Sequence, residues 1–472
     1  MCTSYEPAII AERICQPRVA TAPSMRVNCV IVGGGPAGLA PLVSASRNGS
    51  LERILSQGLA IVERGSAIGP GTLGSYNIGS DSAAETIVSC VHENPHPRIS
   101  RLRDHPAIQA VEAYGRGAVP LQLVGELMAV VGAELHEWVA ASPRSAVLLG
   151  YEALHVRHTR NGLWRSQLRR VSDGATRTIV SPSVVLATGG YQPASYLAGQ
   201  EIGGVPLMPR YAAKLVQSNE TLTAAGLASI GRRLAAGCNK RVAIIGSSSS
   251  AVACAHAMLR TEYGRHFEPG AVTILHRRPL RVFYPSAADA LADGYNEFGQ
   301  DDICPISGFV YRFAGFRMES RELVMAARGI GGRPPEPRLR LHRLTTGPDP
   351  AAIAILDEAD VIVTALGYRP RALPVLDTAG RPIPLLASGP GARPLVDDQC
   401  RVLDSAGAPI EGLLGIGLAA GFLSREATGG EPSFSGQTNG LWQWQNDVGC
   451  LIAERMRHSR VQSQAVYAER AR

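Results

Sequence analysis

Residues 27–38 read VNCVIVGGGPAG. A β-branched apolar run breaks into glycine and passes at once into LAPLVSASRNG, whose apolar residues recur at helical spacing. Gly33, Gly35 and Gly38 thus satisfy G-x-G-x-x-G between a strand and a helix, the context in which that spacing has a mechanism. The first glycine makes the turn, the second lets backbone approach a pyrophosphate, and the third packs helix on strand. Pro36 and Ala37 open the helix, whose free N–H groups and dipole favour an anion. The next strand, LAIVERG, ends in Glu63-Arg64, and a carboxylate there accepts hydrogen bonds from ribose hydroxyls. Strand, turn, helix and acidic strand end predict a βαβ unit that holds an adenine dinucleotide, and hence an α/β fold of Rossmann type.

A second stretch has the same outline with different residues. VAIIGSSSSAVAC (242–254) is an apolar strand, a glycine and a run of small residues. Gly246 falls at the turn position, Ser248 where the second glycine would stand, and Ala251 at the close-packing position. Serine is small and can bond a phosphate oxygen, so Ser247, Ser248 and Ser249 remain candidates to hold a pyrophosphate. The strand that follows, AVTILHRRPLR, ends in Arg277 and Arg278 where the first unit ended in Glu63. A guanidinium fork matches a 2′-phosphate as a carboxylate matches a free ribose hydroxyl. The contrast predicts FAD in the first unit and NADPH in the second; a solvated strand end beside an empty serine loop is the plain alternative.

Composition bounds the rest. The 472 residues suffice for two or three domains, and 45% hydrophobic with 18% charged residues indicates a folded globular chain. No apolar stretch escapes interruption by Gly, Pro or a charge long enough to span a bilayer, so no membrane association is expected. The formal charge of +7 is spread along the chain and is almost all arginine, without a basic block interleaved with aromatics, so no nucleic-acid partner is expected either. The nine cysteines lack C-x-x-C and Cys/His spacing, which leaves no disulfide framework, metal site or dithiol centre to predict. Residues 1–24 do not make a secretory signal and read as a short leader on a cytoplasmic protein. Self-association is left open.

Two strands that end in small-residue turns, SVVLATGGYQP (183–193, with Gly189) and DVIVTALGYRP (360–370), resemble the A-T-G turns of flavoproteins with two dinucleotide-binding domains. GLLGIGLAAG (412–421) resembles their last strand, with Gly417 in the turn and Leu418 where a carboxylate often stands. In PSFSGQTNGLWQWQNDVG (432–449) a helix is expected to start with the N–H groups of Gly436, Gln437 and Thr438 facing the flavin pyrimidine.

The ordered set of motifs, from about residue 27 to 450, resembles the flavin-dependent monooxygenases that include the ornithine and lysine N-hydroxylases. The resemblance implies a Rossmann-like FAD domain (25–236 and 366–460) interrupted by a Rossmann-like NADPH domain (237–365), with a substrate-proximal insertion at about 283–340 and a tail at 461–472. It implies that NADPH reduces the flavin, that O2 then forms a C4a-hydroperoxide, and that one oxygen passes to a small-molecule amine or amino acid.

Several residues acquire roles only through that resemblance. Asn296 in Asn296-Glu297-Phe298 resembles the asparagine that helps hold substrate and nicotinamide. Asp302, after Asp301, would hold an ammonium, although a paired Asp more often caps a turn. The Gly/Ser-rich loop 65–86 would cross the flavin ring, which makes Thr72, Tyr76 and Ser82 contact candidates and Asp81 a candidate acid or base. The Phe-x-Gly-x-x-x-His signature of Baeyer–Villiger enzymes is absent where PLMPRYAAKLVQSNETL stands, which shifts the expectation to heteroatom, chiefly amine, oxygenation. S-oxygenation, a reductase that transfers no oxygen, and a flavin-binding protein without turnover are the competing readings.

Overall fold

The computed structural model describes residues 24–389, 393–422 and 429–458. The expected leader before residue 24 and the expected tail at 461–472 lie outside the described residues.

Three short apolar strands, Cys29–Val32, Leu59–Glu63 and Ser183–Leu186, are almost wholly buried, as strands covered by helices on both faces must be. They form the centre of a six-stranded sheet. From one edge the order is Ala146–Leu149, Leu59–Glu63, Cys29–Val32, Ser183–Leu186, Pro409–Gly415 and Arg401–Leu403. All pairs are parallel except the last, and the register sets Val30 between Ala60 and Val184. A five-stranded sheet joins Met25–Arg26 to Thr176–Ser181, Trp164–Arg170, Tyr151–His158 and Val375–Leu376; its two central pairings are antiparallel and its two outer ones parallel.

The second sheet is all parallel: Leu215–Gln217, Val361–Thr364, Val242–Ile245, Val272–His276 and Leu339–Arg343. Its central strand divides its side chains between two cores. Val242 and Ile244 pack with the helix Ser249–Leu259, whereas Ala243 and Ile245 pack with the helix Pro350–Glu358. That is the doubly wound arrangement expected of period-two alternation under two helical layers.

The chain leaves the first sheet after Ser183–Leu186 and returns to it with Arg401–Leu403 and Pro409–Gly415, so the second sheet is an insertion. The insertion starts earlier than residue 237. Leu215–Gln217 pairs with Val361–Thr364, and Leu227, Ile230 and Leu234 of the helix Ala224–Ala236 belong to the second core. Nothing in that short strand announces its partner, because its only pairing is to residues far along the chain. The outgoing and returning segments pair with each other as they cross, Gly190 opposite Pro370 and Tyr191 opposite Arg369.

Candidate active site

The first turn has the geometry its glycines require. Gly33 has φ +104°, and a Cβ there would meet the Ala187 carbonyl oxygen at 2.3 Å. A Cβ on Gly38 would meet the Gly33 oxygen at 1.9 Å, which is how closely the helix Pro36–Arg47 approaches the strand. The Glu63 carboxylate accepts hydrogen bonds from the N–H of Gly34 at 2.8 Å and of Gly65 at 2.6 Å. Each carboxylate oxygen keeps a further lone pair, so these bonds fix the group and still allow it to accept a ribose hydroxyl. Arg64 beside it is exposed. Gly417, φ +113°, brings the last strand of the sheet against Ala37. These residues form a cradle that fits an adenine dinucleotide.

The second turn repeats this construction. Gly246 has φ +145°, and a Cβ there would meet the Ala365 oxygen at 2.4 Å, as Gly33 meets Ala187. Gly33 N–H donates to Val62 and Gly246 N–H to Leu275, each on the neighbouring strand. Ser248 then precedes its helix with φ −95° and ψ 169°, close to the φ −73° and ψ −174° of Gly35. Neither value lies in the left-handed region, so serine fits this position without strain. No side chain caps either helix, which leaves the first N–H groups of both free to meet an anion. Arg277 and Arg278 are exposed beyond the strand Val272–His276, and Arg277 donates to the Glu201 carbonyl at 2.8 Å. Arg343, which the sequence reading missed, sits opposite His276 on the next strand and adds a third exposed arginine. Burial, with the positive charge of Arg343 and Arg328, holds the His276 imidazole below its ordinary pKa.

A cavity of about 260 Å³ lies where the two units meet. Pro36 reaches it from the first turn, Ser249 and Ser250 from the second, and Ser80, Asp81 and Ser82 from the strand Gly79–Ala83. Leu418, Asn439 and Trp444 close it from the C-terminal segment, with no carboxylate at position 418. The insertion supplies Arg317, Glu319 and Ser320 at the head of the helix Met318–Arg328. Between the first two of these, Met318 has φ +45°, an uncommon conformation for a residue with a side chain.

Asp81 is exposed to solvent on the cavity side, and the protein packed around the cavity partly desolvates its carboxyl. Burial raises its carboxyl pKa, and the nearby Arg317 guanidinium opposes that rise. Arg317 itself is pushed below the usual arginine range, by burial first, and its guanidinium lies 3.6 Å over the Phe283 ring centroid. Glu431 fastens this region from the other unit: its buried carboxylate accepts N–H bonds from Phe313, at 3.1 and 3.0 Å, and Ala314, at 2.7 Å.

His256 and Glu319 form a second polar pair at the cavity wall, Nδ1 to Oε2 3.4 Å. Burial lowers the His256 pKa, Glu319 opposes the shift and Arg260 adds to it. Between the lowered folded value and the ordinary 6.5, the unfolded chain binds the proton and the folded chain does not. Stability is therefore lost as pH falls through that window. His256→Gln is expected to flatten this part of the curve, read as the denaturant midpoint against pH; an unchanged slope would remove His256 as its source.

Other sequence candidates fall elsewhere. Asn296 is exposed and lines neither this cavity nor its neighbour. Asp302 caps a short turn, accepting from Gly299 N–H at 2.9 Å and Ser433 hydroxyl at 2.5 Å. The insertion does reach the cavity, but through Arg317 and Glu319 rather than Asn296 or Asp302. Thr72 and Tyr76 are not in the wall, where Leu73 and Ile78 stand instead, while Ser82 is. Gly189 belongs to the crossing segments, its carbonyl accepting from Arg371 N–H at 2.9 Å. The C-terminal helix begins at Leu441, not around Gly436–Thr438. Thr438 directs both N–H and Oγ1 to the Phe422 carbonyl, each at 3.0 Å, and so stays outside the helix. Asn439, Gly440, Leu441 and Trp444 are the residues of this segment that border the cavity.

Among the described residues, no helix is long and apolar enough to cross a membrane, and no cluster of three His, Cys, Asp or Glu side chains could hold a metal ion. The seven described cysteines are all unpaired.

Comparison with known proteins agrees with this geometry. The family model described as pyridine nucleotide-disulphide oxidoreductase matches residues 27–299. A CMP-5'-(3-aminopropyl)phosphonate hydroxylase of Streptomyces rubellomurinus is 31% identical over 432 residues, covering 90% of this chain and 95% of the relative. Among solved structures, the ornithine N-hydroxylase of Kutzneria sp. 744 superposes with a TM-score of 0.50 at 16% identity, over 93% of this chain and 100% of its own. The L-lysine 6-monooxygenase of Pseudomonas syringae gives a TM-score of 0.51 at 15% identity, over 92% and 99%.

Proposed function

Because the chain belongs to the pyridine nucleotide-disulphide oxidoreductase family, and within it to the flavin-dependent N-hydroxylating monooxygenases, we propose that it uses FAD and NADPH to hydroxylate a primary amine at the cavity between its two dinucleotide turns. The observation that carries this reading is the cavity wall itself, to which both turns and a carboxylate contribute. FAD, when bound, supplies the electron transfer and oxygen activation that no side chain here provides. Gly33, Gly38, Glu63 and Gly417 would hold it, and Gly246 with Ser247–Ser249 would hold the NADPH pyrophosphate.

The chain's own work is then binding and proton handling. An alkylammonium has no lone pair for an electrophilic oxygen, so the amine must first give up a proton. Asp81 is the acceptor: its carboxylate faces the cavity, and its raised pKa makes it a better base than an ordinary aspartate. Arg317 opposes the rise and so favours the anionic form of that carboxylate. The apolar wall from Leu73, Ile87, Leu121 and Val124 limits water at the reacting nitrogen.

The test is steady-state turnover of the FAD-loaded enzyme with a panel of primary amines, headed by an amine carried on a CMP phosphonate, the class named for the Streptomyces relative. Amine-stimulated NADPH oxidation with matching hydroxylamine is expected. Oxidation that yields only hydrogen peroxide with every amine would return the chain to a reductase.

Nucleotide choice is tested separately. Arg277→Ala with Arg278→Ala is expected to raise KM for NADPH by roughly 10- to 100-fold, the usual effect of losing charge-assisted bonds to phosphate. KM for NADH should change little; equal losses for both would remove the 2′-phosphate from this strand end.

A further inference from the structure

A second cavity, of about 370 Å³, adjoins the first and shares Ile78, Gly79, His256 and Glu319 with it. Its remaining walls differ in chemistry. Arg260 ends the helix Ser249–Leu259 and has no hydrogen-bond or ion-pair partner among the described residues. Tyr114 presents a large ring that is 42% exposed. Gln122 donates from Nε2 to Asn77 Oδ1 at 3.2 Å, which leaves the Asn77 amide N–H groups and the Gln122 carbonyl oxygen for a ligand's edge.

The second nucleotide turn does not account for these groups. It lies at the opposite end of the helix, and a helix of 11 residues separates its ends by about 16 Å. A phosphate held at Ser247–Ser249 is thus far from Arg260. An uncommitted guanidinium, an exposed aromatic ring and an amide pair around one space are the groups that together recognise a phosphoryl or phosphonyl ester carrying a heterocyclic base.

Resting on the amine-hydroxylating reading above, we infer that this cavity is the handle compartment of the substrate site. It takes a pyrimidine nucleotide ester: Arg260 holds the phosphorus oxyanion, Tyr114 stacks the base, and Asn77 with Gln122 reads its edge. The alkyl amine passes beside the His256–Glu319 pair, along Ile78 and Gly79, into the first cavity, where Asp81 stands. The Glu319 carboxylate at the shared wall attracts the ammonium end and repels the phosphoryl end, which fixes the direction of entry.

Free CMP is the probe, titrated calorimetrically into the FAD-loaded enzyme without turnover. Wild type is expected to bind it. Arg260→Gln should weaken CMP by about tenfold or more, with partial recovery in Arg260→Lys, and Tyr114→Ala should weaken it as well. With a CMP-linked 3-aminopropylphosphonate as substrate, Arg260→Gln should raise KM by the same factor and leave KM for NADPH unchanged. Absence of CMP binding in wild type, or equal CMP affinity in wild type and Arg260→Gln, would overturn the assignment. CMP binding without any hydroxylamine product would uphold the compartment and overturn the amine-hydroxylating reading instead.

Discussion

A Gly38→Ala protein is expected to purify with at least tenfold less flavin per chain than wild type. The added Cβ would lie 1.9 Å from the Gly33 carbonyl oxygen, a backbone atom with no side-chain freedom to yield. The helix Pro36–Arg47 would have to withdraw from the strand, and its N-terminal N–H groups would move with it. Overpacking of this kind costs about 1–3 kcal/mol even where the fold survives. Ser248→Gly in the second turn is the contrasting variant: serine there already has an extended backbone, so its replacement should leave flavin content as it is. The ratio of flavin absorbance to protein in the purified enzymes decides the matter. A fully loaded Gly38→Ala enzyme would mean that the first turn is not the flavin cradle.

Asp81→Asn should keep its flavin and lose hydroxylation by roughly 10²- to 10⁴-fold, the range associated with removing a positioned general base. Reduction by NADPH should continue, with the oxygen consumed appearing as hydrogen peroxide. Hydroxylamine formation at the wild-type rate would sink Asp81 as proton acceptor. A second readout is independent of turnover. The folded carboxyl has a raised pKa, so between the ordinary value of 3.8 and the raised one the folded chain binds the proton and the unfolded chain does not. Stability therefore falls as pH rises through that window, and asparagine, which does not ionise, should abolish the fall.

The sheets were legible because their signals are local. VNCVIVGGG and VAIIG each announce a buried strand followed by a turn, and Glu63 against Arg277-Arg278 separates the two units by charge alone. Leu215–Gln217 was not legible, since three residues become a strand only by pairing with Val361–Thr364. The site was legible where the chain is constrained by backbone and obscure where it is assembled by tertiary contact. Asp81 was singled out through the resemblance, as a carboxylate in the Gly/Ser-rich loop 65–86 expected to cross the flavin ring. Arg317 and Glu319 were not, because they lie in RMESREL, a polar stretch that reads as an ordinary exposed helix start. Only the packing of that helix against Ser249–Leu259 and Gly79–Ala83 turns it toward the cavity. Asn296-Glu297-Phe298 misled for the converse reason: a short string of residue types carries no information about which way its loop faces.

The interruption of the first sheet also bears on how the chain is made. Every strand of the second sheet lies between Leu215 and Arg343 or in Val361–Thr364, so that sheet can pair fully while later residues are still being added. Ser183–Leu186, by contrast, keeps one edge open until Pro409–Gly415 arrives. Pairings that close long loops are slow, and an open strand edge exposes apolar surface to other chains. During synthesis the inserted lobe is thus complete first, and the lobe it interrupts stays a half-built sheet, vulnerable to aggregation, until Pro409–Gly415 has been made.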